Sequence, residues 1–163
     1  MAYEILGTDI SERAVAQARD GVYGAYSLRH LKTELREQYF VPAGSDAYRL
    51  KPEIHRKVAL QSFNLAEPKG YAGVGRFDVI FCRNVLIYFD QATRTQVVDC
   101  CVRALEPGGY LLLAPTESLS AKHPELELVH LSRTIAYRRR EVGEAATNKS
   151  GPLRTSSGAR RLA

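Results

Sequence analysis

Apolar residues come in short bursts along this chain, and the spacing within each burst predicts an element. Residues 3–6 (YEIL) form a brief apolar run that leads into Gly7-Thr8-Asp9, a strand followed by a turn. Ser11 stands where a helix N-cap belongs. Ala14, Val15 and Ala18 then share one face of a helix that Gly21 ends. Leu28, Leu31 and Leu35, three and four apart, predict a second helix over 27–38. From Tyr39 the period changes. Residues 48–51 and 57–63 read as two strands joined across Pro52-Glu53, a small antiparallel unit, and 64–76, rich in Gly and Pro, as loop.

The second half is more strongly patterned. FDVIFC (77–82) is the most apolar strand of the chain, with the composition of a buried parallel one. Residues 84–90 read as a turn or short helix, and 91–105 as a helix with Val97, Cys101 and Leu105 four apart beside Val98 and Val102. Pro107-Gly108-Gly109 is expected to end that helix, with a buried strand over 110–114. Residues 126–130 and 134–138 form a final hairpin at a sheet edge. Strand–helix–strand alternation that finishes in a hairpin predicts a doubly wound α/β sheet. No internal repeat is visible.

Composition narrows this picture. The chain has 163 residues, 45% hydrophobic and 25% charged, which suits one globular domain. Its apolar runs are interrupted far short of the roughly 20 residues of a membrane span, and no charged-then-apolar leader opens it. The net charge of +5 would suit a nucleic-acid binder, but its placement argues against one. Residues 138–163 hold seven Lys/Arg and two Asp/Glu, while residues 1–137 hold 16 of each. A neutral body of residues 1–137 and a basic, disordered tail of 138–163 are expected, with no nucleic-acid partner and no membrane insertion. Cys82, Cys100 and Cys101 are too few for a disulfide framework, so a reduced, cytoplasmic protein is expected.

Candidate chemistry is sparse. Asp9, just past a strand, is placed either to accept from ribose hydroxyls or to serve as a helix-capping or turn aspartate. The glycines of GYAGVG (70–75) follow a loop and precede a strand, the reverse of a phosphate-binding loop. The four histidines and three cysteines lack ligand spacing, so no metal site is expected. Cys100 and Cys101 are expected in the core. Arg83 ends the most apolar strand, with Asn84 and Tyr88 close behind. These three are either a site at the carboxyl end of a central strand or a strand-end Arg paired with Asp78 or Asp90.

FDVIFCRNVLIYFD (77–90) closely resembles the CheR family of chemotaxis-receptor methyltransferases, which use S-adenosylmethionine to esterify glutamate side chains. Further matches keep the family's order: LGTDIS (6–11), GVY (21–23), QYF (38–40), FNL (63–65), LEPGGYLLL (105–113) and ESL (117–119). The resemblance covers roughly residues 3–139. It implies a Rossmann-like, S-adenosylmethionine-dependent methyltransferase fold, with a small antiparallel β insertion over about 39–62. It also implies site roles. Asp9 would bind the cofactor ribose, Asn64 and Leu65 would contact the adenine, and Cys82 and Arg83 would line the cofactor pocket. Arg83 and Tyr88 would face the methyl-transfer centre. The implied partners are the cytoplasmic helices of chemotaxis-type receptors, and the protein is expected to be a monomer.

Two features depart from the family pattern. The glycine-containing cofactor loop and its strand should precede the TDI segment, so the fold is expected to lack its first strand. Pro115-Thr116-Glu117-Ser118 stands where the family commonly has a glycine-containing turn. The expected reaction is in-line attack of an ionised glutamate on the sulfonium methyl. A carboxylate with an ordinary pKa of about 4.3 needs no general base for this. The competing expectation is a non-catalytic remnant that serves as an interaction module. The segment VPAGSDAYRL (41–50) has a single glycine, shorter and poorer in glycine than in members that dock on a receptor tether, so tether-independent recognition is expected.

Overall fold

A computed structural model describes residues 3–119, 122–132, 134–141 and 143, and the chain divides between Val74 and Gly75 into two units. The first unit opens with β1 (Ile5–Asp9), which runs on to Asp9 rather than stopping at Leu6. Helix α1 (Glu12–Asp20) follows as the pattern predicts: Ser11 Oγ accepts from the Ala14 N–H, and Gly21 closes the helix in the left-handed conformation (φ 63°). Val15 is its buried residue.

The helix expected over 27–38 does not form as one piece. After the short strand β2 (Val22–Gly24), residues Ala25–Leu28 make a 3-10 turn, and the Arg29 guanidinium stacks over the Tyr26 ring at 3.9 Å. Lys32 is extended (ψ 144°), so α2 (Thr33–Tyr39) begins only after it. A polar Arg29-His30 stretch with no capping side chain gives the longer helix nothing to sustain it.

The chain continues through β3 (Phe40–Pro42), β4 (Ala47–Leu50), the short helix α3 (Pro52–His55) and β5 (Val58–Ser62). The expected pairing of 48–51 with 57–63 is corrected here. Strand β4 lies antiparallel between β2 and β3, whereas β5 pairs in parallel with β1, Asp9 opposite Ser62. The small antiparallel sheet therefore draws on Val22–Gly24 as well as on the segment after Tyr39. The Pro52 helix carries the chain from one sheet to the other.

In the second unit, β6 (Phe77–Cys82) is followed by α4 (Gln91–Ala104), β7 (Leu105–Leu113), β8 (Leu126–Leu131) and β9 (Thr134–Arg139). The sheet order is β6-β7-β9-β8, with β6–β7 parallel and the rest antiparallel. Helix α4 starts at Asp90, whose carboxylate accepts from the Thr93 N–H at 2.8 Å, and it packs on β7. Val97, Val98, Cys100, Cys101, Val102 and Ala104 are buried there, so the expectation of core cysteines holds. Each large aliphatic side chain buried in this way stabilises the unit by about 1.5–3 kcal/mol.

Strand β6 is not the buried strand its composition predicts. It is an edge, with β7 its one hydrogen-bonded neighbour among the described residues. Val79 and Phe81 are 44% and 71% exposed. The start of the expected disordered tail is ordered: Arg138 and Arg139 belong to β9, and Arg138–Arg140 pair with Glu125 and Glu127. The rest of the expected disordered tail, from residue 144, lies outside the described residues.

Pro107-Gly108-Gly109 sits inside β7 rather than ahead of it. The register shifts there, from Phe77 opposite Leu105 to Val79 opposite Tyr110, and Gly108 takes φ 80°. At Gly109 a Cβ would meet three backbone carbonyls, those of Glu106, Asp78 and Phe77, at 2.9, 3.0 and 3.1 Å. None of them is the end of a flexible side chain. We expect Gly109→Ala to cost about 1–3 kcal/mol in urea unfolding. Gly73→Ala, which meets open space, should stay within about 0.5 kcal/mol of the parent. Equal effects at the two sites would refute the close-approach account.

Candidate functional site

In the first unit, parallel pairing of β1 with β5 brings two candidate residues to the same end of the two strands. Asp9 is the last residue of β1, and its carbonyl accepts from the Phe63 N–H at 2.9 Å, directly before Asn64. Asp9 Oδ1 accepts from the Ser11 N–H at 2.8 Å, the turn-forming role open to it from sequence. Its Oδ2 has no hydrogen bond among the described residues, and the side chain is exposed. Asn64 makes the matching turn after β5, its Oδ1 accepting from the Ala66 N–H at 3.0 Å. Leu65 is half-buried, and its carbonyl accepts from the Tyr71 hydroxyl, whose ring stands edge-on to Phe63. The glycines of GYAGVG belong to the 3-10 turn Pro68–Gly73 and the run into β6, and they open no helix.

The second unit gathers the other candidates at the carboxyl end of β6. Cys82, opposite Leu113 in the ladder, turns its side chain into the core, where it is 5% exposed. A hydrogen bond with the Cys101 side chain holds the Cys82 thiol below its ordinary pKa, against burial and the negative charge of Glu117. Arg83 is exposed, and among the described residues no hydrogen bond or ion pair holds its guanidinium. Neither Asp78 nor Asp90 pairs with it. Asp90 is the N-cap of α4, and the Thr93 backbone and side chain lower its pKa. Asn84 is the one non-glycine residue with positive φ among the described residues (58°). The chain then enters the 3-10 turn Leu86–Tyr88, with Leu86 fully buried and Tyr88 80% exposed.

The residue that composition and spacing missed is Glu117. It is 1% exposed, the one buried charged side chain among the described residues. Oε2 accepts from the N–H groups of Asn84 (2.6 Å) and Ala114 (3.2 Å), and Oε1 from that of Ile87 (3.3 Å). Burial alone would raise its pKa. The backbone donors at Asn84, Ala114, Ile87 and Val85 outweigh burial and hold the carboxyl below its ordinary value. The available signal was the ESL match at 117–119, which carried no role.

Elsewhere, a cavity of about 430 Å³ lies along α4, lined in part by Arg94, Asp99, Arg103 and His123, and contains none of the candidates. Asp99 and His123 pair across it at 3.1 Å. Among the described residues no cluster of three His, Cys, Asp or Glu is placed to hold a metal ion, and no helix is long and apolar enough to cross a membrane.

Comparison with known proteins identifies the family and the fold. The family model described as CheR methyltransferase, SAM binding domain, matches residues 1–135. The chain is 36% identical over 138 residues to the chemotaxis protein methyltransferase Cher2 of Pseudomonas putida, covering 84% of this chain and 50% of that protein. A chemotaxis protein methyltransferase of Vibrio parahaemolyticus is 39% identical over 135 residues, covering 82% of this chain and 48% of its own length. A probable biofilm formation methyltransferase, WspC of Pseudomonas aeruginosa, is 32% identical over 158 residues, covering 97% of this chain and 36% of that protein. The chain thus spans about half the length, or less, of the curated relatives it matches. Among solved structures, the N-methyltransferase NodS of Bradyrhizobium japonicum, in complex with S-adenosylhomocysteine, superposes with a TM-score of 0.52. The identity is 14%, over 85% of this chain and 67% of that one, which shows a shared Rossmann-like methyltransferase fold.

Two outcomes follow from the geometry around β6. Asn84→Gly should be nearly neutral, while Asn84→Ala should cost about 1 kcal/mol in thermal or urea unfolding, because φ 58° suits Gly and Asn. Glu117 has a folded-state pKa below its unfolded value, so its stabilisation is present above the ordinary carboxyl range and lost as pH falls through the folded value. The thermal midpoint should fall as pH drops below the ordinary carboxyl range, and Glu117→Gln should flatten that dependence. An equally steep decline in the variant would contradict the assignment.

Proposed function

For a chain that belongs to the CheR methyltransferase family, as this one does, we propose S-adenosylmethionine-dependent methyl transfer to glutamate side chains of chemotaxis-type receptors. The observation that carries this reading is the exposure of Arg83 and Tyr88, free of other commitments, where the chain leaves the carboxyl end of β6. Doubly wound sheets place their ligands beyond that end of their strands. Asp9 and Asn64 occupy the corresponding end of β1 and β5, and Oδ2 of Asp9 is available to a ribose hydroxyl.

The cofactor supplies an electrophilic methyl group on a sulfonium. Transfer of that methyl to a glutamate oxygen would leave a methyl ester and a neutral thioether. The attacking carboxylate is already ionised at neutral pH, so this chain's residues are left with alignment and electrostatics. Arg83 attracts and orients the incoming carboxylate. Binding it too firmly would stabilise the ground state as much as the transition state and give no acceleration. Tyr88 offers a ring face to the cationic centre and a hydroxyl for one hydrogen bond. The buried Cys82 side chain leaves its backbone as the part able to line a cofactor pocket.

In the protein that carries this chain, Arg83→Ala should lower methyl-transfer turnover at saturating S-adenosylmethionine by about tenfold or more, and Asp9→Ala should mainly raise the Michaelis constant for the cofactor. Radiolabelled methyl transfer to receptor fragments measures both. No transfer by the parent would favour an interaction module instead. Calorimetry against a receptor tether peptide should show no binding. Low-micromolar binding that disappears in Tyr48→Ala would show that the short 43–46 connection does accept the tether.

A further inference from the structure

We propose that Glu117 is the positioning residue of this site: its buried carboxylate fixes the turn that directs Arg83 and Tyr88 away from the end of β6. The catalytic meaning of the assignment rests on the methyltransferase reading of that segment.

Arg83 lies between two backbone positions that are both held. Cys82 before it is the last ladder residue of β6, opposite Leu113 of β7. The N–H of Asn84 after it donates to Glu117 at 2.6 Å, the shortest of the three carboxylate bonds. The left-handed Asn84 then turns the chain, and the Ile87 N–H returns to the same carboxylate at 3.3 Å. Tyr88 follows directly, its N–H bonded to the Val85 carbonyl at 3.1 Å. The third donor, the Ala114 N–H, comes from the residue after β7. One carboxylate therefore ties the exits of two neighbouring parallel strands together, and Arg83 and Tyr88 flank the two N–H groups it holds on the β6 side.

The chemistry requires the charge. A buried carboxylate is stabilised only when its lone pairs are filled by donors, and here backbone N–H groups reach both oxygens. A glutamine offers one acceptor oxygen and turns an NH2 group towards a backbone N–H, so at least one donor is left unsatisfied. The fold would survive on the α4–β7 core, and the loss would concentrate at residues 83–88.

The test uses the 163-residue chain and its Glu117→Gln variant, compared by amide hydrogen exchange. At least one of Asn84 and Ile87 should exchange about tenfold or more faster in the variant, beyond any change at Leu111 and Leu112 of β7. Uniform acceleration across both regions, or none, overturns the proposal. A measurement on the parent chain alone covers the case in which the variant does not fold. A through-hydrogen-bond coupling between the Asn84 nitrogen and the Glu117 carboxyl carbon is expected, and its absence counts against the assignment. In the methyl-transferring protein, a double-mutant cycle supplies the catalytic arm. Arg83→Ala should cost at least about fivefold less turnover in the Glu117→Gln background than in the parent, whereas independent, multiplying losses would show a merely structural glutamate. Should the parent show no methyl transfer at all, the functional reading fails, while exchange and coupling still decide the positioning role.

Discussion

A carboxylate taken out of water must be repaid by donors, and the second unit is arranged so that Glu117 is. The N–H groups it collects come from the residues leaving β6, from the turn after it, and from the end of β7. Backbone donors leave little freedom in how they meet an acceptor, so holding several at once specifies the path of the chain between them. The left-handed Asn84, the buried Leu86 and the outward-facing Tyr88 all lie on that path. The position of Arg83 follows from the same constraint.

Support for this loop comes from the rigid elements beside it. Helix α4 begins at Asp90 with a capped first turn and buries its valines and cysteines in the core of the unit. Arg94 of α4 donates to the carbonyl of Leu86, so the helix also grips the turn it follows. Strand β7 passes β6 at a bulge where Gly109 lets backbone approach backbone without a side chain between them. Catalytic groups placed on a loop need such a scaffold, because a displacement of one ångström can undo their alignment.

Strand β6 illustrates a different balance. Its Val79 and Phe81 are intrinsically core-forming, yet they are exposed beside a ladder edge that has no partner among the described residues. An apolar edge of this kind is a site for pairing with another strand. In the first unit β1 likewise has a single ladder neighbour among the described residues, β5. The ends of β1, β5 and β6 carry the candidate residues, so the features that favour ligand chemistry and those that expose strand edges occur on the same elements.

Interactions confined to a few neighbouring residues were legible in the sequence. Ser11 and Gly21 delimit α1 because a cap and a left-handed stop act within one helical turn. The fourteen residues of α4 declare themselves by a repeated spacing that few other structures satisfy. The long family string from Phe77 to Asp90 located Arg83 and Tyr88 at the end of a strand, where the structure has them. Partnership was not legible. Residues 57–63 pair with a strand some fifty positions upstream rather than with the nearer β4, since either pairing satisfies the same local pattern. Composition marked β6 as buried, but burial is a property of neighbours, and it could not report that one side of the strand has no ladder neighbour among the described residues. A glutamate in a polar stretch reads as a surface residue by default. Only the tertiary structure, by bringing backbone N–H groups from distant positions onto Glu117, made a charged side chain the buried anchor of the site.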